Sequence, residues 1–216
     1  MTSDKSPIGR RHADVGPLEV WAERRQFQLD FLRRFGLAPV HRLLDLGCGT
    51  LRGGIPLIAY LQPGHYTGLE SRTETLAEAR QELAESGLTD RRPTLLHVVS
   101  LADIHLENRQ DYIWAFSVMI HFTDAVLEDA LSLVSRSLAD GGMLLGNIII
   151  GDGPDKLWRD TGLPVVERPW GFYTEACARW GLAIEDLGSR SDFGDSHGYS
   201  PDAGPDTRRM VRMVRA

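Results

Sequence analysis

The sequence has few cysteines, no long apolar run and no excess of positive charge, and each of these absences excludes a class of protein. Its two cysteines, Cys48 and Cys177, lie far apart and outside any zinc-ligand spacing, so we predict neither a disulfide framework nor a metal site. No apolar stretch approaches the roughly 20 residues that a membrane span needs, and the first residues lack the apolar core of a signal peptide. We therefore expect a soluble protein of the reducing cytoplasm.

The charge of the chain argues against partners that attract cations. The formal net charge is −6 at pH 7, which disfavours general binding to nucleic acid or to an anionic membrane. The strongest local exception is the segment 207–215, in which arginines alternate with apolar residues. This alternation predicts an edge or terminal strand with one solvated face, and a binding patch is the alternative.

The length and composition fit a single domain. The chain has 216 residues, of which 42% are hydrophobic and 25% charged, an ordinary globular composition that can bury a sizeable core. Residues 1–16 mix charge, glycine and proline without periodicity, so we expect a flexible N-terminal segment. One domain is predicted over 17–216, beginning with an amphipathic helix (17–36) that Gly36 ends.

Short apolar runs alternate with amphipathic segments along this domain. The predicted strands cover residues 42–46, 65–70, 94–99, 112–118, 143–150, 182–187 and 208–214. The predicted helices cover residues 18–35, 55–61, 73–86, 124–138 and 174–180, the last two with Asp124 and Thr174 as N-caps. Because the strands are nearly continuous apolar runs, helices are expected on both faces of the sheet. The predicted fold class is α/β, a Rossmann-like, doubly wound and mostly parallel seven-stranded sheet.

The exit of the first strand is the place to look for chemistry, because sheets of this kind bind ligands at the carboxyl ends of their strands. It reads DLGCGTLRGG over residues 45–54. Glycines after a buried strand allow a tight turn with positive φ and let a ligand approach bare backbone, and the following helix offers unpaired N–H groups. The pattern indicates a site for a nucleotide-like ligand.

The stretch LDLGCGT, residues 44–50, resembles the first motif of class I S-adenosylmethionine-dependent methyltransferases. In that family an acidic residue at the end of the second strand holds the ribose hydroxyls, and Glu70 occupies that place 21 residues after Gly49. The similarity continues through SVMIHF, residues 117–122, and the glycine pair before the fifth strand, and it covers about residues 40–150. It implies that the cofactor is S-adenosylmethionine.

The resemblance also assigns roles to individual residues. The implied cofactor-binding residues are Asp45, Gly47, Cys48, Gly49, Arg52, Glu70, Ser71, Leu101, Ser117 and Val118. The glycines would cradle the cofactor and the carboxylate at the end of the second strand would hold the ribose. The segment 100–103 would lie near the adenine, and Ser117 with Val118 beneath the methionine moiety.

The chain departs from the family pattern at Leu51, where a third glycine is common. Gly53 or Gly54 is then the candidate for close packing of the helix. Arg52 either pairs with the cofactor carboxylate or reaches solvent. Asp45 either contacts the cofactor or ties down the glycine turn by accepting backbone N–H bonds.

The candidate catalytic residue is His121, a general base if the acceptor must lose a proton and otherwise a polar residue that closes the site. His197 lies in a glycine-rich stretch and is assigned to a loop. The predicted function is methyl transfer to a small-molecule acceptor, with oxygen, nitrogen or carbon as the acceptor atom. A nicotinamide-dependent oxidoreductase and a non-catalytic S-adenosylmethionine-binding protein are the alternatives.

Overall fold

The computed structural model describes residues 20–158, 162–195 and 206–216. Within these residues seven strands belong to one mostly parallel sheet and two short strands form a separate ribbon. The chain divides into two compact units at Val99 and Ser100. The predicted N-terminal segment 1–16 and His197 lie outside the described residues.

The helices and strands alternate along the chain as the sequence predicts. The helices are α1 (Trp21–Arg34), α2 (Gly54–Tyr60), α3 (Thr73–Glu85), α4 (Asp124–Ser137) and α5 (Trp170–Arg179). The strands are β1 (Leu43–Leu46), β2 (Tyr66–Glu70), β3 (Thr94–His97), β4 (Gln110–Ala115), β5 (Leu138–Ile149), β6 (Lys156–Leu157), β7 (Pro164–Val165), β8 (Leu182–Ser189) and β9 (Arg208–Arg215). No helix among the described residues is long and apolar enough to cross a membrane.

The first unit contains three parallel strands in the order β3-β2-β1. Every residue of β1 is buried, which is what its unbroken apolar run predicts. Leu46 pairs with Leu69, so β1 and β2 end at the same edge of the sheet. The glycine turn and Glu70, which follow these two residues, are thereby brought to one place.

The second unit contains the order β4-β5-β9-β8, with β4 parallel to β5 and β9 antiparallel to both of its neighbours. The arginine-rich strand β9 therefore lies inside the sheet, so of the two predicted alternatives, an edge or a terminal strand, the edge strand is wrong. Its arginines pair with carboxylates: Arg209 with Asp186, and Arg212 with Glu185 on β8. Carboxylates of β8 thus neutralise two of the arginines, which disfavours the binding-patch alternative.

Several predicted boundaries are wrong for local reasons. Strand β4 stops at Ala115 because Ser117 has a left-handed backbone with φ 57°, which an extended strand cannot contain. Helix α4 has Thr123 at its N-cap position, one residue before the predicted Asp124. Helix α5 begins after Pro169, and Thr174 lies inside it, where its hydroxyl donates to the carbonyl of Gly171.

The segment after β5 holds an element that the sequence does not predict. Strands β6 and β7 form a two-stranded antiparallel ribbon, in which Lys156 pairs with Val165 and Leu157 with Pro164. Such short strands carry too few residues for a periodic pattern. The ribbon contacts His121, one of the candidate site residues.

Candidate functional site

The glycine turn after β1 has the backbone that the sequence predicts. Gly47 and Gly49 have φ values of 67° and 56°, the left-handed region that favours glycine. The amide of Cys48 donates to the carbonyl of Leu69 at 2.9 Å, so the turn starts in register with β2. The side chain of Cys48 faces Gly68 and is buried, and this burial raises the pKa of its thiol. Cys48 is therefore an inert thiol in the turn.

Glu70 fastens this turn. Its Oε2 accepts the amide of Gly49 at 3.1 Å, and its Oε1 accepts the amide and Nε of Arg72 at 3.0 and 3.1 Å. An ionised carboxylate offers about four lone-pair positions, and three hydrogen bonds occupy this one. One hydrogen-bond acceptor position on Oε2 is left. A ligand hydroxyl that binds Oε1 would have to displace the Arg72 side chain.

Asp45 has a different surrounding. It is buried, and its Oδ2 accepts the hydroxyl of Tyr66 at 2.6 Å. Burial raises the pKa of Asp45 to about 7, the hydrogen bond from Tyr66 opposes this rise, and the negative charge of Glu70 adds to it. The amide of Gly49 donates to Glu70. The hydrogen bond from the turn backbone to Asp45, one of the predicted alternatives, is therefore not the one that the structure has.

Leu51 explains the departure from the family pattern. It has φ 62°, a left-handed backbone that costs a non-glycine residue about 1–2 kcal/mol, and its side chain is fully buried. A Cβ on Gly54 would lie 2.5 Å from Leu51 Cδ2 and 2.6 Å from Tyr66 Oη. The close packing of α2 thus depends on Gly54, as predicted, and Leu51 occupies the space that a side chain there would need.

Arg52 is buried rather than solvated, so the solvent alternative is wrong. Its guanidinium carbon lies 5.7 Å from the ring centroid of Trp21 on α1, a cation–π contact. Arg25 on the same helix donates through Nε to the Arg52 carbonyl at 3.2 Å. Helix α1 therefore packs on the residues that follow the glycine turn.

Ser71 and Leu101 each accept a hydrogen bond through the backbone carbonyl. The carbonyl of Ser71 accepts Nε2 of His97 at 2.9 Å, and that of Leu101 accepts Nη2 of Arg136 at 2.8 Å. Ser71 itself is exposed, and Leu101 is half-buried in the loop after β3.

Ser117 and Val118 lie directly after β4. The amide of Ser117 donates to Oδ1 of Asn147 at 2.6 Å, and Asn147 is fully buried on β5. This bond holds the left-handed backbone of Ser117. The carbonyl of Val118 accepts the amide of His121 at 2.9 Å in the following 3-10 turn. Asn147 is missing from the predicted site, although an amide inside the apolar run 143–150 is the signal that marks it.

Two fully buried polar side-chain atoms, Thr50 Oγ1 and Asn147 Nδ2, have no hydrogen-bond partner within the described part of the chain. A buried polar atom without a partner costs about 1–3 kcal/mol. Thr50 follows Gly49 in the glycine turn, and Asn147 supports Ser117. Each therefore fits a polar ligand bound next to it.

His121 lies in the 3-10 turn Met119–His121. Its Nδ1 is 2.6 Å from the carbonyl oxygen of Pro164 on β7. A carbonyl only accepts hydrogen bonds, so Nδ1 carries the proton in this contact and Nε2 is the nitrogen that can accept one. The imidazole centroid lies 5.6 Å from that of Trp158.

The ribbon of β6 and β7 is attached firmly on the His121 side. The amide of Val166 donates to the carbonyl of Ile120 at 2.8 Å. Arg168 pairs with Asp155 at 2.6 Å and with Asp124 of α4 at 3.0 Å. The unpredicted ribbon thus gives His121 both its hydrogen-bond partner and its aromatic neighbour.

Among the described residues no group of three or more histidines, cysteines or carboxylates is placed to hold a metal ion.

Comparison with known proteins finds a family model that matches the part of the chain holding most of this arrangement. Residues 44–144 match the family model described as a methyltransferase domain. The match includes the glycine turn, Glu70, Ser117 and His121. A search of curated protein sequences gives no match.

Solved structures show the same fold. The glycopeptide N-methyltransferase MtfA complexed with S-adenosyl-L-homocysteine is 17% identical, with a TM-score of 0.67 and all of both chains covered. Magnesium protoporphyrin IX methyltransferase from Synechocystis PCC 6803 is 16% identical, with a TM-score of 0.66, 100% of this chain and 87% of that chain covered. The CcbJ methyltransferase from Streptomyces caelestis is 16% identical, with a TM-score of 0.67 and coverages of 99% and 94%. These structures confirm the predicted Rossmann-like α/β fold.

Proposed function

We propose that this chain is a class I S-adenosylmethionine-dependent methyltransferase whose methyl acceptor is a small molecule. S-adenosylmethionine is its cofactor, which when bound supplies a methyl group already activated on a sulfonium. The nicotinamide alternative falls away, because the matched family is a methyltransferase family.

The residues at the end of β1 and β2 fit this cofactor. Gly47 and Gly49 leave bare backbone at the turn, and Thr50 Oγ1 is a buried atom that needs a polar partner. We assign the ribose to Glu70, whose Oε2 keeps an acceptor position while it also holds the Gly49 amide. Arg72 would release Oε1 when a second hydroxyl binds. These residues bind and orient the cofactor, and none of them exchanges a proton with it.

For the second unit, we propose the other cofactor contacts that the sequence predicts. The segment 100–103 is assigned to the adenine, and Ser117 with Val118 to the methionine moiety. The bond from the Ser117 amide to Asn147 fixes the backbone of that contact in advance, which lowers the entropic cost of binding.

The observation that carries the acceptor proposal is the arrangement of His121 with Trp158 and Pro164. The Pro164 carbonyl orients the imidazole and leaves Nε2 as the basic nitrogen, while Trp158 gives a flat apolar wall of the kind that small-molecule pockets use. His121 would accept the proton of an acceptor hydroxyl or amine through Nε2. In an enzyme of this type positioning does most of the remaining work, because the methyl group needs little further activation.

Charge supports a small acceptor over nucleic acid. The net charge is −6, and the arginine-rich strand β9 is paired with acidic side chains. Two of the proteins with the same fold are named for a glycopeptide and for magnesium protoporphyrin IX, acceptors of modest size.

A label-transfer experiment tests the proposal. The protein is incubated with methyl-tritiated S-adenosylmethionine and, separately, with a low-molecular-weight cell extract, bulk RNA and bulk protein. We expect label only in the first fraction, and no transfer by the Glu70→Ala variant. Label in RNA or protein but not in the small-molecule fraction would overturn the proposal.

Once an acceptor is found, His121→Gln tests the general base. For a hydroxyl acceptor we expect kcat to fall by about 10²-fold or more while the KM for S-adenosylmethionine stays unchanged. His41→Gln is the matched control, because His41 also uses Nδ1 in a backbone hydrogen bond, with the amide of Ala38. An unchanged kcat in the first variant would assign His121 to closing the site.

A further inference from the structure

The loop that joins β3 to β4 is held near its start by one side chain. The carbonyls of Leu101, Ala102 and Ile104 converge on Nη2 of Arg136, at 2.8, 3.0 and 3.1 Å. Nη2 carries two hydrogens, so the three carbonyls share them, and the hydrogen bonds that this permanent cation donates are charge-assisted and stronger than neutral ones. The shape of this turn of the loop is therefore set by Arg136.

Arg136 is itself fixed on α4. It lies in the last turn of the helix, is half-buried, and its Nη1 donates to Oγ of Ser132, one helical turn earlier, at 2.9 Å. The planar guanidinium fork holds its donors at fixed angles, so the bond to Ser132 also orients Nη2 toward the loop. A lysine at this position has a single ammonium and cannot reproduce this geometry.

The loop has little other support of its own. Ala102 and Asp103 are exposed. The local bonds are one from the Ala102 amide to Ser100 Oγ at 3.2 Å, one between His105 Nδ1 and the Asp103 carbonyl at 3.0 Å, and a long one from the Ile104 amide to the Leu101 carbonyl at 3.4 Å. Without Arg136 these weak bonds would leave the turn with several conformations of similar energy.

The far end of the loop is attached to the same helix end. Nη1 of Arg109, next to β4, donates to the carbonyls of Arg136 and Leu138 at 3.2 and 3.0 Å. Cations at the carboxyl end of a helix are stabilised by its dipole. The loop is thus clamped at both ends to the C-terminus of α4, and the clamp near residues 101–104 is the one next to the segment assigned to the adenine.

We propose that Arg136 is a positioning residue for the cofactor, which holds the segment 100–103 in the conformation that receives the adenine. The inference rests on the proposed cofactor site. Arg136 does not contact the cofactor in this account; it removes in advance the cost of ordering the loop. Its loss should therefore weaken only those ligands that carry an adenine.

The test uses ligands that share different halves of the cofactor. Calorimetric titrations are made with S-adenosylhomocysteine, with adenosine, and with S-ribosylhomocysteine, which lacks the adenine. For Arg136→Ala we expect the affinity for the first two to fall about tenfold, the equivalent of roughly one net hydrogen bond, with the affinity for S-ribosylhomocysteine unchanged. Ser132→Ala, which removes only the orienting bond, should show a smaller loss for the same two ligands.

Arg91→Ala is the matched control. Arg91 donates in the same manner to three carbonyls, those of Ile58, Ala59 and Leu61, at the end of α2. We expect this variant to lower the melting temperature and to leave all three affinities unchanged. Arg136→Lys keeps a cation with N–H donors for the carbonyls but loses the bond to Ser132, so its losses should lie between those of Ser132→Ala and Arg136→Ala.

The outcomes separate the two claims. Failure of the unmodified protein to bind S-adenosylhomocysteine would contradict the proposed function. Binding by that protein, with equal losses for all ligands or no loss in Arg136→Ala and Ser132→Ala, would overturn the role of Arg136 alone. If Arg136→Ala does not fold, the comparison of Arg136→Lys and Ser132→Ala with Arg91→Ala decides the question.

Discussion

Asp45 and Glu70 are two buried carboxylates of the same unit, and their surroundings give them different tasks. Glu70 accepts three N–H bonds, and it fastens the glycine turn. Asp45 accepts one hydroxyl, from Tyr66, and is otherwise removed from water. The first is suited to hold polar ligand atoms, and the second is suited to a structural role that is uncharged below neutral pH.

The raised pKa of Asp45 predicts a pH-dependent stability. A carboxyl with a folded-state pKa of about 7 and an ordinary value of 3.8 stabilises the fold fully below pH 4, and this contribution is lost as the pH rises to about 7. Asp45→Asn keeps an acceptor for Tyr66 and does not titrate. We expect it to exceed the natural protein in free energy of unfolding by roughly 2–4 kcal/mol at pH 8, with a much smaller difference at pH 4.

Urea unfolding of both proteins at pH 4, 6 and 8 measures this difference. The exposed Asp90, changed to Asn, serves as the control and should shift the stability little at any of the three pH values. A constant difference for Asp45→Asn across the range, or a less stable variant at pH 8, would mean that the Asp45 carboxylate is charged and stabilised in the fold.

Residue-level prediction succeeded where a motif specifies backbone geometry and failed where a partner comes from elsewhere in the chain. The positive φ of Gly47 and Gly49 follows from the motif. Tyr66 bonds to Asp45 across 21 positions, and the Ser117 amide bonds to Asn147 across 30. No local sequence pattern predicts which residues these bonds join. The assigned cofactor roles of these residues stay predictions.

At the scale of elements, α2 depends on a glycine at its first residue. A Cβ on Gly54 would lie 2.5 and 2.6 Å from Leu51 Cδ2 and Tyr66 Oη, distances that force these buried groups to move. We expect Gly54→Ala to lower the free energy of unfolding by about 1–3 kcal/mol, the usual cost of overpacking. It should also weaken binding of S-adenosylhomocysteine, since Leu51 follows the glycine turn directly.

Gly171→Ala is the control for this substitution. Gly171 lies in the first turn of α5, and a Cβ there would meet nothing within 4 Å. Because alanine is a better helix former than glycine, this variant should gain up to about 1 kcal/mol. Thermal unfolding of both variants tests the account, and a stable Gly54→Ala protein would show that Leu51 and Tyr66 can rearrange at little cost.

Whole elements were predictable to the extent that their period is long and regular. Strand β1 and helix α3 were found within two residues of their ends because apolar period and glycine stops agree there. The ribbon of β6 and β7 was missed because two residues a strand carry no period. The alternation in strand β9 predicts an edge or terminal strand with one solvated face, whereas ion pairs with β8 make the same pattern suitable for an inner strand.

At the scale of the whole molecule, the sequence predicts the fold class because strands and helices alternate in it with short connections. The family match over residues 44–144 and the structures of the same fold agree with that prediction. The acceptor is harder to predict from the sequence. The segment after β5 that contacts His121 resembles no family motif, and the sequence does not predict its ribbon. Chemistry at the cofactor is therefore better defined than the choice of acceptor.

The central claim is that Glu70 holds the ribose of the cofactor as well as the glycine turn. Replacement by Ala removes both contacts, so loss of binding alone does not separate them. A ligand without the 2′-hydroxyl does, because only a direct contact makes the protein sensitive to that group. Glu74→Ala, an exposed carboxylate in the first turn of α3, is the control.

Calorimetric titration with S-adenosylhomocysteine, its 2′-deoxy form and NADH, made for the natural protein, Glu70→Ala and Glu74→Ala, is the measurement that tests this claim most directly. We predict that the natural protein and Glu74→Ala bind S-adenosylhomocysteine more tightly than the 2′-deoxy form, by about 10-fold or more, and do not bind NADH. We predict that Glu70→Ala binds the two homocysteine ligands weakly and with equal affinity. A natural protein that does not distinguish the two forms, or a Glu70→Ala protein that still does, would contradict the assignment of the ribose to Glu70.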